Sequence, residues 1–396
     1  MARLTHEDAQ SNPKALEPEQ WLWVEQHLGR DTQKLRLKYG TQEPYNTAIA
    51  QIEARTKYSG KFGSLYNTKW IFPKGLALEQ SSSEATAKWK STLFTTTYSA
   101  DLCAGMGVDS ALICNRTASK GHICFEKNES LAHLLQHNIP RANVQQGEFS
   151  QQDLKRWIET HAIAAKDLTI YLDPDRRVGS QREFKLEHCT PNLVEEQHAL
   201  LDVAHTIIAK HSPMVDLDHL ATSLKGLCEI WVVQYRGECK EIVSVQRSRG
   251  RALQINAIDI ASGETFTGES RNPTNLSYGS LKSFIIQPSP GLNKSSLHEK
   301  MAHEQEWTKL PFGHLYTAQN APSPNPFYKL YKVLETFDSL KKISINEGAA
   351  VECIGSKITV AELRKRLKIK EGRDRKLFYL QNGRTKLIVI GRLQEK

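Results

Sequence analysis

Asp101-Leu-Cys-Ala-Gly105-Met-Gly107-Val-Asp109 closes a short strand-like run over residues 98–103 and opens a helix-like one. Nineteen residues beyond Gly107, the apolar run His122-Ile-Cys-Phe-Glu126 ends on an acid. Leu168-Thr-Ile-Tyr-Leu172 then delivers Asp173-Pro174-Asp175-Arg176-Arg177. A glycine turn, an acid and an Asp-Pro at three strand ends are what a doubly wound sheet needs to hold a nucleoside at its carboxyl edge. Further strand-like runs over residues 206–210, 230–234 and 241–245 alternate with helix-like segments at 129–138, 151–161, 193–201 and 218–227. Tyr235-Arg-Gly-Glu-Cys-Lys240 is too short for a crossover helix, so the last two strands are expected to pair antiparallel. The fold class read here is α/β, a Rossmann-like, mostly parallel sheet with an antiparallel terminal strand. An N-terminal helical region and small α+β C-terminal domains complete it.

The turn has two glycines, with Ser110 where a dinucleotide fingerprint carries its third. That third glycine serves close helix–strand packing under a pyrophosphate. S-adenosylmethionine has no phosphates and asks only for a turn that lets backbone approach its methionine part. Asp101 is placed to meet its ammonium group, with Ala104, Gly105, Gly107 and Asp109 completing the turn. Glu126 is placed for the two ribose hydroxyls. Glu148, in Val144-Gln-Gln-Gly147-Glu148-Phe149, is either a plain turn residue or an acceptor for the adenine amine with Phe149 packing beside it. These features favour S-adenosylmethionine over NAD.

Methyl transfer from a sulfonium is an in-line displacement that needs a positioned nucleophile. The Asp173 carboxylate and the Pro174 carbonyl suit an exocyclic base amine, whose hydrogens they would accept. Arg176 and Arg177 suit phosphate or base contacts. His211-Ser212-Pro213 forms a further loop at the same sheet edge, with Ser212 a substrate contact and His211 read as a surface residue.

The 396 residues are 39% hydrophobic and 24% charged, an ordinary soluble mix. No run suits a membrane span or a secretory signal. Seven cysteines without metal-like spacing argue for a reduced, cytoplasmic protein and against a metal site. Residues 326–396 hold 17 Lys and Arg against 8 Asp and Glu, which equals the chain's whole net charge of +9. A basic unit on a neutral body points to a polyanion partner. Within it, Thr359-x-x-Glu362 is a capping box, Arg364, Lys365 and Lys368 are candidate RNA contacts, and Asn382-Gly383 signals a two-residue hairpin. Ser81-x-x-Glu84 is a second capping box, opening a helix to about Lys90. Four domains are expected, at 1–91, 92–247, 248–325 and 326–396, the last two parted by Ala321-Pro-Ser-Pro-Asn-Pro326.

The chain resembles a bacterial family of class I methyltransferases with a small ferredoxin-like insert and a THUMP-like C-terminal domain. The resemblance rests on Ile71-Phe-Pro-x-x-Leu76-x-Leu-Glu-Gln80-Ser-Ser-Ser-Glu84, on Asp101-Leu-x-x-Gly105-x-Gly107-Val-Asp109-Ser110 and on Leu172-Asp-Pro-x-Arg-Arg177. Ser212-Pro-Met-x-Asp216, Gly237-Glu-Cys-Lys-Glu241, Leu315-Tyr-Thr317 and Ala361-Glu-Leu-Arg-Lys365 extend it over nearly the whole chain. It implies S-adenosylmethionine binding and an RNA substrate, tRNA or rRNA. The sheet motifs also distantly resemble those of trimethylguanosine synthases and guanine-N2 methyltransferases, which carry Asp-Pro-Pro and an aromatic where this chain has Asp175 and Arg176. The alternative is a non-catalytic RNA-binding or assembly factor with a methyltransferase-like fold.

Overall fold

Leu168-Thr-Ile-Tyr-Leu172 is buried along its whole length, and so is Thr206-Ile-Ile-Ala-Lys-His211. Continuous burial of this kind marks parallel strands covered on both faces. The structure, a computed structural model, describes residues 16–394 apart from 41, 44, 68, 175–176, 179–180, 183–185, 249–251, 270–275 and 346. Two compact units emerge, residues 1–228 with 243–251 and residues 229–242 with 252–396.

The first unit holds β1 (Tyr98–Asp101), β2 (Gly121–Glu126), β3 (Asn143–Gln146) and β4 (Leu168–Leu172). The two-residue pair β5 (Arg177–Val178) and β6 (Gln181–Arg182) follows, and then β7 (Thr206–His211). β1 pairs in parallel with both β2 and β4, β2 with β3, and β4 with β7. The hairpin of β8 (Leu227–Tyr235) and β9 (Glu238–Arg247) places residues 243–247 in this unit, where the strand order is β9-β7-β4-β1-β2-β3. The order runs outward from β1 in both directions, so a crevice opens beyond the carboxyl ends of β1 and β4. The reversal between β8 and β9 takes only two residues, Arg236 at φ 52° and Gly237 at φ 77°. Positive φ at both positions is the type I′ turn that matches strand twist.

The N-terminal helices Pro18–His27, Thr32–Tyr39 and Tyr45–Lys57 belong to the same unit. Trp21, Val24, Ile49 and Ile52 form one apolar cluster with Ile71 and Leu134, the last from a helix of the sheet layer. Helix formation starts later than the Ser81/Glu84 pattern suggests. Ser83 is the cap, accepting from the Thr86 amide, and the helix is Glu84–Ser91. Glu84 instead accepts from the amide and hydroxyl of Ser64, a tertiary partner that outcompetes the local box.

In the second unit, β10 (Gln254–Asp259) lies parallel to β8 and antiparallel to β11 (Glu264–Glu269). A seven-stranded sheet contains β12 (Phe284–Pro288), β13 (Thr308–Lys309), β14 (Tyr316–Ala318), β15 (Tyr328–Phe337), β16 (Ala350–Ile354), β17 (Arg375–Asn382) and β18 (Thr385–Leu393). Its order is β13-β14-β12-β15-β18-β17-β16. β12 and β15 pair antiparallel across the Pro-rich segment 321–326, so the stretches on its two sides share one sheet. Pairing removes two edges that separate small sheets would leave open. The Thr359–Glu362 capping box forms as the sequence predicts and opens the helix Val360–Leu367. The hairpin loop is Gly383-Arg384, one residue later than Asn382-Gly383, because Asn382 still pairs with Thr385.

Candidate active site

Asp101, Glu126 and Asp173 stand at the ends of β1, β2 and β4, and all three line a cleft of about 760 Å³ in the first unit. That volume falls inside the roughly 300–1,000 Å³ of small-molecule sites. The turn after β1 is held by its neighbours. The Leu102 amide donates to the Tyr171 carbonyl at 3.0 Å and the Ala104 amide to the Phe125 carbonyl at 2.9 Å. Gly105 and Gly107 take φ of 58° and 86°, a region open mainly to glycine. A Cβ on Gly105 would meet open space, whereas one on Gly107 would meet Leu135 at 2.3 Å and Ile139 at 2.9 Å. Gly107→Ala is therefore expected to destabilise the unit by about 1–3 kcal/mol, and Gly105→Ala by less. Urea unfolding of the two variants checks this.

Glu126 uses both carboxylate oxygens to fix backbone, accepting from the Gly105 amide and from the Asn128 amide, each at 2.8 Å. Asp101 is buried. It accepts from the Ser110 hydroxyl at 2.5 Å and from the Cys103 amide at 3.2 Å. Burial pushes its carboxyl up to about 7, against the pull of those two hydrogen bonds. A buried acid of this kind, with no cation bonded to it among the described residues, is chemically suited to a ligand ammonium. Ser110, read from sequence as a missing glycine, is thus the hydroxyl that orients Asp101.

Glu148 and Phe149 also line the cleft, Phe149 edge-on to Phe125 with ring centroids 5.4 Å apart. Ala104, Pro174 and Ser212 line it too, Ser212 accepting from the Met214 amide at 3.2 Å. Asp109 reaches the cleft wall but is engaged inward. Its carboxylate pairs with Lys90 at 2.9 Å and accepts from the Ser82 hydroxyl at 2.7 Å and the Tyr171 hydroxyl at 2.8 Å. Burial raises its carboxyl, but the Lys90 and Lys210 ammonium groups and the Ser82 hydroxyl outweigh that and hold it below the ordinary value. Asp109 ties the helix Glu84–Ser91, through Lys90, to the helix Val108–Cys114 and to β4.

His211 corrects the reading of a surface residue. It is buried and its Nε2 lies 2.8 Å from the Ser244 hydroxyl, because β7 continues through it. Arg176 lies outside the described residues, and Arg177 is described only as backbone in β5. Arg364, Lys365 and Lys368 lie in the second unit. Lys365 and Lys368 are exposed, while Arg364 donates to the Ala349 carbonyl at 3.2 Å.

Two contributors escaped the sequence. Lys210 of β7 lines the cleft and forms an ion pair with Asp173. The signal was present as a lysine inside an otherwise apolar strand. Leu76, Ala77, Gln80, Ser81 and Ser82 supply one wall, from a segment that looked like part of a separate helical region. Among the described residues no cluster of His, Cys, Asp and Glu could hold a metal ion, and no helix is long and apolar enough to cross a membrane.

No family model matches the sequence, and neither does any curated protein. Among solved structures, a "putative methyltransferase" from Porphyromonas gingivalis W83 superposes over 96% of this chain and 100% of its own, with a TM-score of 0.80 at 23% identity. A "putative RNA methyltransferase" from Pyrococcus horikoshii matches 38% of this chain and 71% of its own at 18% identity and a TM-score of 0.25. An O-methyltransferase from Bacillus cereus in complex with S-adenosylhomocysteine matches 48% of this chain and 99% of its own at 12% identity and a TM-score of 0.30. Scores as low as the last two carry no argument. At 0.80 over nearly both whole chains, the first establishes that this protein shares the mixed α/β fold of the Porphyromonas protein.

Proposed function

We propose that this chain is an S-adenosylmethionine-dependent methyltransferase that modifies a base in structured RNA. The observation that carries the reading is the convergence of Asp101, Glu126 and Asp173, from three strands, on one cleft closed by the Gly105–Gly107 bend. The donor set fits the cofactor: Asp101 for the ammonium, Glu126 for the ribose hydroxyls, the glycine bend for the methionine chain, and Glu148 and Phe149 for the adenine. When bound, the cofactor would supply an electrophilic methyl carbon. The protein's own part is to aim a nucleophile. Asp173 and the Pro174 carbonyl accept hydrogens from the acceptor nitrogen, Ser212 stands on the adjoining loop, and Arg176 and Arg177 follow in sequence as phosphate contacts.

RNA is favoured by the charge of residues 326–396, and the exposed Lys365 and Lys368 offer phosphate contacts there. The resemblance to a family with a THUMP-like C-terminal domain points the same way. A second reading, a non-catalytic RNA factor, draws on the Lys210 ion pair, which neutralises Asp173.

Calorimetry separates these readings. Binding of S-adenosylmethionine and S-adenosylhomocysteine, with none of NADH, supports the proposal. Tight NADH binding alone overturns it. Donor binding with no labelling of cellular RNA leaves the non-catalytic reading standing.

The Asp101 carboxyl adds a pH signature. Its folded value lies above the usual 3.8, so its contribution to stability is full below that value and is lost as pH rises through about 7. A bound ammonium reverses the preference and draws the carboxyl back to its ionised form. Donor affinity is therefore expected to climb as pH rises toward about 7, by up to about tenfold per unit. It should level off above about 7 and fall beyond the α-amino value of ~7.7–8.0, where the ligand loses its own charge. Titrations at pH 6 in two buffers of different ionisation heat should report about one proton released per donor bound. An unchanged affinity from pH 5.5 to 7.5 would remove Asp101 from the site.

A further inference from the structure

Lys210 and Asp173 project from β7 and from the end of β4, adjacent parallel strands, into the same cleft. The Lys210 ammonium donates to one Asp173 carboxylate oxygen, and the two side chains are 9% and 25% exposed, so the pair is partly desolvated yet open to a ligand. Its position is pinned, because the Asp173 amide donates to the Cys103 sulfur at 3.2 Å. Nearby, the Lys61 ammonium is spent on the Leu78 and Glu79 carbonyls, at 2.9 and 2.7 Å.

A carboxylate only accepts hydrogen bonds and an ammonium only donates them. Side by side, they complement a ligand edge that offers an N–H next to an acceptor. We infer that Lys210 is a specificity-determining residue that reads the acceptor beside the methylated nitrogen, so that the substrate atom is a nucleobase nitrogen carrying a hydrogen. The inference rests on the reading of Asp173 as the residue that meets the substrate. The edges that qualify are adenine N6 beside N1, cytosine N4 beside N3, guanine N1 beside O6 or N2 beside N3, and uracil N3 beside a carbonyl. Guanine N7, pyrimidine C5 and ribose 2′-oxygen do not present an N–H to the carboxylate. The transfer balances simply. The nitrogen–carbon bond forms, the carbon–sulfur bond breaks with its electron pair left on sulfur, and the nitrogen's proton passes to Asp173 and on to water.

The test uses the purified full chain, methyl-labelled S-adenosylmethionine and total RNA from cells lacking the protein, with nucleoside mass spectrometry as the readout. Label is expected on N6-methyladenosine, N4-methylcytidine, N1- or N2-methylguanosine, or N3-methyluridine. Lys210→Met is expected to keep donor binding by calorimetry and to lose roughly 10–100-fold in kcat/KM for RNA, the worth of one charged hydrogen bond. Lys210→Arg, which restores a cationic donor, should recover most of that loss. Label on N7-methylguanosine, a C5-methylpyrimidine or a 2′-O-methyl nucleoside overturns the inference and leaves the methyltransferase reading intact, as does an unchanged kcat/KM in Lys210→Met. Donor binding with no RNA labelled at all overturns both. Should the Met variant fail to fold, the identity of the wild-type product still decides.

Discussion

An Asp173→Ala variant is expected to bind S-adenosylmethionine much as the wild-type chain does and to transfer no measurable methyl group to RNA. The side chain stands just beyond β4 in the cleft that the Gly105 bend also lines, and its backbone is fixed independently through Cys103. Removing the carboxylate takes away the acceptor that aims the nucleophile and leaves Lys210 in the cleft without its partner. Loss of orientation, of a proton acceptor and of a matched charge together place the expected fall at about 10³-fold or more in kcat/KM. Single-turnover labelling alongside calorimetry separates the two functions. Unchanged turnover would take Asp173 out of the chemistry. Lost donor binding would show it to be part of the cofactor site instead.

The second large effect concerns stability. Lys90 is fully buried, and it is held by Asp109 at 2.9 Å and by the Ser82 hydroxyl at 2.7 Å. Lys90→Met leaves Asp109 as a buried charge bonded by the Ser82 and Tyr171 hydroxyls, without its paired ammonium and with the field of Lys210 as remaining compensation. Breaking a buried pair on one side costs about 3–5 kcal/mol, because the remaining ion has no water to return to. For a unit of this size the melting temperature should fall by on the order of 10 °C. The double variant Lys90→Met, Asp109→Leu should recover part of the loss, since it removes both ions, although the Ser82 and Tyr171 hydroxyls then lack their acceptor. The pH dependence has the opposite sign to that of Asp101. The Asp109 carboxyl is held below its ordinary value, so its contribution is present above that value and lost as pH falls through the folded one. Thermal melts from pH 3 to 7 on the wild type and the single variant check both statements. An equal loss in the single and double variants would refute the ion-pair account.

The basis of these two effects differs in how far it could be read from sequence. Asp173 announces itself by ending a buried strand on Asp-Pro. Lys90 and Asp109 lie in separate helical segments, Asp109 looks like part of the glycine turn, and nothing local links them. The same holds for Ser81 and Glu84, where a capping pattern was present and Ser64 took the glutamate. The Thr359–Glu362 box, with no competing partner among the described residues, formed as written.

What the chain determines by itself is local and periodic. Apolar runs of five or six residues between helical segments set the strands, two glycines able to adopt positive φ set the bend, and acids at strand ends set three groups on one edge. A parallel sheet needs little more, since crossovers of fixed hand leave few ways to stack such units. Strand adjacency, by contrast, is decided only in three dimensions. Placing β4 between β1 and β7 brings Lys210 to Asp173 across 37 residues of chain, and pairing β12 with β15 merges two stretches that a proline-rich segment seemed to part. Burial does the rest: it turns Asp101 from an ordinary carboxylate into one poised near 7 and makes Lys90 a structural ion, because the cost of a buried charge depends on neighbours that sequence distance does not reveal.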